Sequence, residues 1–344
     1  MSEIAQMLDE TVNKLLSRHL DSTARSTIPS DDILVAARDA GIHMTLAPED
    51  HGGLGASLME ASVIAWRWGY HAAPLPLTEI LLTGALAATT DSSGLDKNFS
   101  LASDCAATFS GGKVAPSGPS GKVDAPVCQG APSILVLVTD DSNRTAIVAL
   151  DNTSAETFHV LSGEPWLRMT AENASVISVH PVAGFAPSAI AACGALLTSA
   201  SIVGAAARVL EIVIEHASTR TQFGRPLAKF QAIQHRIAEA ASEQIVAQAA
   251  LTGAIEAYDY GDTRPLLWHA AKAQAAHTAG TVAAASHQVM GAIGFTEEHI
   301  LHHYTKRLWA WRDEWTRENA CYVAVGQAAA AAPNGLWRHI VDEA

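Results

Sequence analysis

The residues best suited to chemistry lie in the C-terminal half, in Arg220-Thr-Gln-Phe-Gly-Arg-Pro-Leu-Ala-Lys-Phe-Gln231 and at Gln288 and Gly291. Arg220 is expected at the end of a long helix, beside a glycine-containing turn, where its guanidinium can pair with a diphosphate through two parallel hydrogen bonds. Gln231 and Gln288 can offer amide groups to adenine, ribose or phosphate, and Gly291 allows a bulky ligand to approach the backbone. The alternative is that Arg220 only caps its helix and that the glutamines are solvated surface residues.

Three parts of the chain must position these residues. Residues 1–95 are predicted to form an N-terminal helical domain, because short amphipathic stretches alternate there with turn signals. Residues 96–183 are predicted to form a middle β domain. In it, the apolar runs 134–138 and 145–150 flank a turn-like stretch, which is a β-hairpin pattern.

Residues 184–344 are predicted to form a C-terminal four-helix bundle. Apolar periodicity and helix-start signals place the first three helices at 188–220, 229–258 and 265–290. A fourth is expected to start at Thr296, because Glu297 and Glu298 in its first turn would favour the helix dipole. Long helices with short connections favour an antiparallel bundle. Together with the β domain, the two helical domains predict an α+β fold.

Composition excludes several classes of function. The chain has 344 residues and a net charge of −13, which argues against a nucleic-acid-binding protein. Its four cysteines are far apart and form no CxxC pair, so neither a zinc ribbon nor a redox dithiol is expected, and no metal site is predicted. No secretory signal and no apolar stretch long enough to span a bilayer is recognised, so a cytoplasmic protein without membrane contact is expected.

Three segments resemble the acyl-CoA dehydrogenase family. The stretch from Arg220 contains Arg-x-Gln-Phe-Gly followed by a Gln at the start of the next helix, which resembles the signature of that family. Residues 40–55 are similar to its N-terminal glycine-rich loop, and Gln288-Val-Met-Gly-Ala-Ile-Gly-Phe295 is similar to the turn before its last helices. The matches occur in family order, so the resemblance implies the fold of that family: a helical domain, a β domain and a four-helix bundle.

The resemblance also implies a flavin cofactor, FAD, at a subunit interface. In the family, the matching positions contact the ADP part of an FAD that is held mainly by a neighbouring subunit. Ala292 stands where the family usually has a second glycine. The residues implied to bind the cofactor are Arg220, Gln222, Phe223, Leu227, Gln231, Ile233, Gln288 and Gly291.

The catalytic base is missing from its expected positions. The reaction of the family removes the α proton of an acyl-CoA and transfers the β hydrogen as hydride to the flavin, which requires a carboxylate base. The two family positions of that base correspond to Gly194 and Cys321. Glu318 reaches the second position only with a small alignment gap, and it is otherwise a solvated helix residue. The flavin-ring segment of the β domain is also shortened, to Ala102-Ser-Asp-Cys-Ala106.

These gaps lead to the hypothesis that the chain is one subunit of a heteromeric acyl-CoA dehydrogenase and completes the FAD site of a homologous sister chain, in a heterotetramer. Such heteromers act in bacterial sterol side-chain degradation, and the Trp-rich segment 307–313 resembles their smaller subunit. The implied partners are an acyl-CoA substrate and an electron-transfer flavoprotein or a similar acceptor. Two alternatives stay open: a self-sufficient homo-oligomer that uses Glu318 as base, and a scaffold subunit that does not touch flavin.

Overall fold

The computed structural model follows the predicted order of helices, strands and long helices, so the α+β fold with its three parts is confirmed. It describes residues 2–20, 31–89, 100–102, 107–116, 121–127, 133–140, 144–171, 174–182, 186–262 and 264–332. The domain boundaries predicted at 95/96 and 183/184 lie outside these residues and stay predictions. Four residues of the shortened flavin-ring segment, Ser103 to Ala106, also lie outside them.

Side-chain caps define helix starts in the N-terminal domain. The Ser57 hydroxyl accepts a hydrogen bond from the Glu60 N–H at 3.2 Å, and the Glu60 carboxylate accepts one from the Ser57 N–H at 3.0 Å. This reciprocal pair satisfies two N–H groups that have no partner within the helix. The helices of the domain are α1 (Glu3–His19), α2 (Asp31–Asp39), α3 (Leu58–Tyr70) and α4 (Leu77–Thr89).

The described strands of the middle domain form two sheets, and the central hairpin is the predicted one. The strands are β1 (Ser100–Leu101), β2 (Ala107–Ser110), β3 (Lys113–Pro116), β4 (Lys122–Pro126), β5 (Ser133–Asp140), β6 (Thr145–Asp151), β7 (Glu156–His159), β8 (Pro165–Thr170) and β9 (Val176–Pro181). The larger sheet has the order β3-β2-β5-β6-β9, with β1 also beside β5, and the smaller one has the order β4-β8-β7. Strands β5 and β6 pair antiparallel and are buried along most of their length, which explains their uninterrupted apolar runs.

The bundle contains α5 (Pro187–Thr219), α6 (Gln231–Asp259), α7 (Pro265–Met290), α8 (Leu301–Asp313) and α9 (Glu318–Ala331). The third helix has the predicted bounds, but the prediction that the fourth starts at Thr296 was wrong. Gly291–Phe295 forms a 3₁₀ turn, and the helix begins at Leu301, whose N–H donates to Nδ1 of His299 at 3.1 Å. Trp315, with a φ of +61°, lies between α8 and α9 and divides the fourth element of the bundle in two.

Glycines allow α5 to pack closely against α3. A Cβ on Gly204 would lie 2.0 Å from the Trp66 carbonyl oxygen, and one on Gly69 would lie 1.8 Å from that of Ser201. The resulting contact makes α5 the central helix of the core. Contrary to the sequence-based expectation, α5 is long and apolar enough by composition to cross a membrane; however, 89% of its apolar window is buried inside the protein, as in the core helix of a soluble fold.

Candidate cofactor site

A cleft of about 700 Å³ lies where α5 ends, α6 begins and α7 ends. Its size falls in the range of small-molecule and cofactor sites. Seven of the eight residues implied to bind the cofactor line it: Arg220, Gln222, Phe223, Leu227, Ile233, Gln288 and Gly291. The structure therefore brings together residues that are up to 71 positions apart in the chain.

The backbone around Arg220 is built by a tight hairpin. The Arg220 N–H donates to the His216 carbonyl at 2.9 Å, and its own carbonyl accepts from the Leu227 N–H at 2.9 Å. Arg220 thus caps α5 through its backbone, as the alternative interpretation requires, but its side chain lines the cleft. Within the described ranges, no protein group forms an ion pair or hydrogen bond with its guanidinium, so the group is available to an anion.

Phe223 is positioned by an unusual backbone conformation. The hairpin pairs β10 (Thr221–Gln222) with β11 (Arg225–Pro226), and φ is +52° at Phe223 and +81° at Gly224. The Phe223 ring is 89% exposed and meets the Phe230 ring edge-on, with their centroids 6.1 Å apart. A large exposed aromatic ring in a strained turn is costly in water, which is typical of a residue that contacts a ligand or a partner.

The opposite wall of the cleft is the end of α7. Gly291 has a φ of +66° and a ψ of −146°, a conformation that L side chains rarely adopt. Nothing lies within 4 Å of the position that its Cβ would take, so glycine is required there by backbone conformation, and the space in front of it is open. Gln288 and Ala292 line the same wall.

The structure does not place Gln231 on the cleft. Gln231 is the first residue of α6, and it is Phe230, Ala232 and Ile233 around it that line the cavity. Sequence reasoning missed His216, Phe230, Ala232, Val289, Met290 and Ile293 as lining residues. The spacing of four residues between His216 and Arg220 was an available signal, because such pairs share one face of a helix.

The first expected position of the base is filled by an indole ring. A Cβ on Gly194 would lie 2.2 Å from Cε3 of Trp315, so the ring packs directly on the Gly194 backbone. The Trp315 indole N–H donates to the buried carboxylate of Glu79 at 3.0 Å. No carboxylate can take the place of Gly194 without displacing this ring.

The second expected position also lacks a base. Cys321 is buried, and burial raises the pKa of its thiol. Glu318 accepts a hydrogen bond from the Tyr322 hydroxyl at 3.2 Å and lies 4.0 Å from Nδ1 of His277. It is not among the residues that line the cleft.

Charged groups are buried behind Trp315. Lys272 Nζ donates to the Trp311 carbonyl at 2.6 Å, and Arg307 Nη2 lies 2.8 Å from Glu164 Oε1 in the β domain. Burial raises the pKa of Glu79 to about 7, helped by the nearby Glu164, although its hydrogen bonds oppose the shift. Burial lowers the pKa of Lys272 to about 8, an effect opposed mainly by Glu314. In the described part of the chain, no group of three His, Cys, Asp or Glu residues could hold a metal ion.

Comparison with known proteins agrees with this geometry. Residues 190–311 match the family model of the acyl-CoA dehydrogenase C-terminal domain. The acyl-CoA dehydrogenase IpdE2 of Mycobacterium tuberculosis is 28% identical over 326 residues, which cover 89% of this chain and 91% of that protein. A variant of the Tcur3481–Tcur3483 steroid ACAD has a TM-score of 0.81 at 21% identity and covers 95% of this chain and 97% of its own. The ChsE4–ChsE5 complex from Mycobacterium tuberculosis has a TM-score of 0.80 at 21% identity, with 97% and 99% covered.

The resemblance read from the sequence is confirmed: residues 190–311 match the acyl-CoA dehydrogenase C-terminal domain, and the chain is similar over most of its length to an acyl-CoA dehydrogenase. More particularly, it is similar along most of its length to the IpdE2 dehydrogenases of two mycobacteria, and it shares the fold of a solved steroid ACAD.

Proposed function

We propose that this chain is one subunit of a heteromeric, FAD-dependent acyl-CoA dehydrogenase and that it completes the FAD site of a homologous catalytic subunit. One contrast carries the proposal. The cleft for the ADP part of the cofactor is open and has an unpaired guanidinium, whereas the position of the base at Gly194 is filled by Trp315. A chain that had to perform the whole reaction would need both the cofactor cleft and the base.

The cleft suits the ADP half of FAD. Arg220 would pair with the diphosphate, and the amides of Gln222 and Gln288 would bond phosphate or sugar oxygens. Gly291 leaves room for the cofactor against the backbone. When bound, the flavin would supply the hydride acceptor of the dehydrogenation, and the sister chain would supply the base that removes the proton.

The names of the relatives support a narrower role. One solved relative is called a steroid ACAD and another is a complex of two differently named chains, so we propose a steroid-derived acyl-CoA as substrate and a heterotetramer as the assembly. An electron-transfer flavoprotein or a similar acceptor would reoxidise the flavin. We place the enzyme in the cytoplasm.

The two alternatives have less support. A homo-oligomer that uses Glu318 would need this carboxylate near the reacting carbon, but Glu318 lies beside Tyr322 and His277, between α7 and α9. A scaffold that does not contact flavin leaves the free guanidinium, the open wall at Gly291 and the exposed Phe223 unexplained.

The test compares Arg220→Ala with the matched control Arg18→Ala, which removes an exposed arginine of α1. Both are co-expressed with the proposed homologous sister subunit, and bound FAD is measured by visible absorbance of the purified assembly. A charge-assisted bidentate contact contributes about 1.5–3 kcal/mol, so we expect Arg220→Ala to weaken FAD binding by about 10- to 100-fold and the control to have no effect.

Two results would contradict the proposal. Stoichiometric FAD with full dehydrogenase turnover in the chain purified alone would support the self-sufficient enzyme. An Arg220→Ala assembly that keeps all of its FAD at unchanged affinity would support the scaffold.

A further inference from the structure

His216 lies in the same cleft as Arg220 and is held beside it by the helix. Both side chains line the cavity, and the Arg220 N–H donates to the His216 carbonyl at 2.9 Å. Their spacing of four residues places them on one face of the end of α5. His216 is half-buried, so its imidazole is partly shielded from water.

Arg220 is the charged group that acts on this imidazole, and it does so from the same helix. The imidazole also interacts electrostatically with the ring of His299, in the turn before α8. The segments that pack against the end of α5, residues 225–229, carry Arg225 and Lys229. Arg225 is directed to the Phe230 ring, 4.2 Å from its centroid.

Carboxylates do not balance these charges. Glu215 adjoins His216, and Glu297 and Glu298 precede His299, but all three are exposed, and no hydrogen bond or ion pair among the described residues joins them to His216. Burial and the neighbouring Arg220 lower the pKa of His216, which favours the neutral imidazole when the cleft holds no anion. A bound anion would supply the missing countercharge.

We propose that His216 is a second ligand of the FAD diphosphate, beside Arg220, and that it takes up a proton when the diphosphate binds. This inference rests on the proposed function, because it requires FAD in this cleft. It adds a residue that sequence reasoning did not select and makes cofactor retention dependent on pH.

The direction of the pH dependence follows from linkage. An anion stabilises the protonated imidazole, so the pKa of His216 is higher in the complex than in the free protein. The contribution of His216 to FAD binding is fully present at pH values below the pKa of His216 in the free protein. It is lost as pH rises through the pKa of His216 in the complex. Each unit of difference between these two pKa values corresponds to a tenfold change in affinity, and we expect the Kd for FAD to rise about tenfold between pH 6 and pH 8.5.

The experiment titrates the deflavinated assembly with FAD and follows the flavin fluorescence at several pH values. FAD is a better probe than ADP, because the terminal phosphate of ADP itself titrates near pH 6. His216→Gln keeps a hydrogen-bond donor but cannot become charged, and His216→Arg is charged at every pH. His159→Gln, which replaces an exposed histidine of β7, is the matched control.

The proposal predicts that His216→Gln binds FAD at all pH values about as weakly as the wild type does at pH 8.5. His216→Arg should bind tightly with a flat pH profile, and His159→Gln should follow the wild type. If His216→Gln keeps the affinity and the pH profile of the wild type while Arg220→Ala loses FAD, the assignment of His216 is wrong and the proposed function stands. If Arg220→Ala also keeps FAD, the proposed function fails first.

Discussion

Replacing Gly194 by alanine tests whether the position of the missing base is filled by Trp315. The added Cβ would lie 2.2 Å from Cε3 and 2.3 Å from Cδ2 of the indole, far inside any real contact. Trp315 cannot move freely, because its N–H donates to Glu79 and its backbone has a φ of +61°. Overpacking of this kind typically costs 1–3 kcal/mol, so we expect the free energy of unfolding to fall by about 2 kcal/mol.

A second glycine provides the matched control. Gly280 lies inside α7, and nothing lies within 4 Å of the position of its Cβ. Without a clash, alanine in a helix interior is favoured over glycine by about 0.5–1 kcal/mol, so Gly280→Ala should stabilise the protein. The assay is equilibrium unfolding in guanidinium chloride at one fixed protein concentration, because oligomerisation makes the midpoint depend on concentration.

A double mutant isolates the contact. In a Trp315→Ala background the indole is gone, so Gly194→Ala should change from destabilising to neutral or stabilising. The reasoning would be refuted if Gly194→Ala matched Gly280→Ala in the wild-type background, or if its cost were unchanged after Trp315 had been removed.

Two further predictions concern contacts away from the cofactor cleft. Asp259, at the end of α6, accepts hydrogen bonds from the N–H groups of Leu58 and Met59 at 2.8 and 2.9 Å. Asp259→Ala should therefore lower the free energy of unfolding by about 1–2 kcal/mol in the same assay. No change would mean that water replaces this cap of α3. Glu79 has a pKa raised to about 7, so its cost to stability appears as pH rises from about 4.5 to 7. Glu79→Gln should therefore stabilise the protein by about 1–3 kcal/mol at pH 8 and have little effect at pH 4.5. The same gain in stability at both pH values would show that the charge of the Glu79 carboxylate does not cause it.

Local sequence signals were sufficient for some of the elements. The helix Pro265–Met290 was predicted to the residue, because proline marks its start and the glycine-containing stretch from Gly291 its end. The hairpin of β5 and β6 was predicted from two apolar runs around a turn. The start of the fourth helix was missed, because two glutamates that favour a helix N-terminus lie in a turn instead. There, the 3₁₀ segment and the His299 side chain satisfy the backbone.

The sequence predicted several residues of the cofactor cleft but not its complete lining. Arg220, Gln288 and Gly291 could be selected because their spacing and order match a family, and the helices then bring them to one cleft. His216 was not selected, since its spacing of four residues from Arg220 is only a weak signal until the ligand-facing side of that helix is known. Gln231 was selected by its place in the pattern, but the helical rotation at the start of α6 turns Ala232 and Ile233 toward the cleft instead.

The amino-acid sequence by itself determined the family, the order of the three parts and the absence of a carboxylate at Gly194 and Cys321, because these depend on residue identity and spacing. Only the tertiary structure decided what the missing carboxylate means. Trp315 is separated from Gly194 by 121 positions, and only the packing of the α8–α9 connection against α5 places the indole on the glycine backbone. Such a contact between distant residues depends on how the helices meet and not on any local pattern.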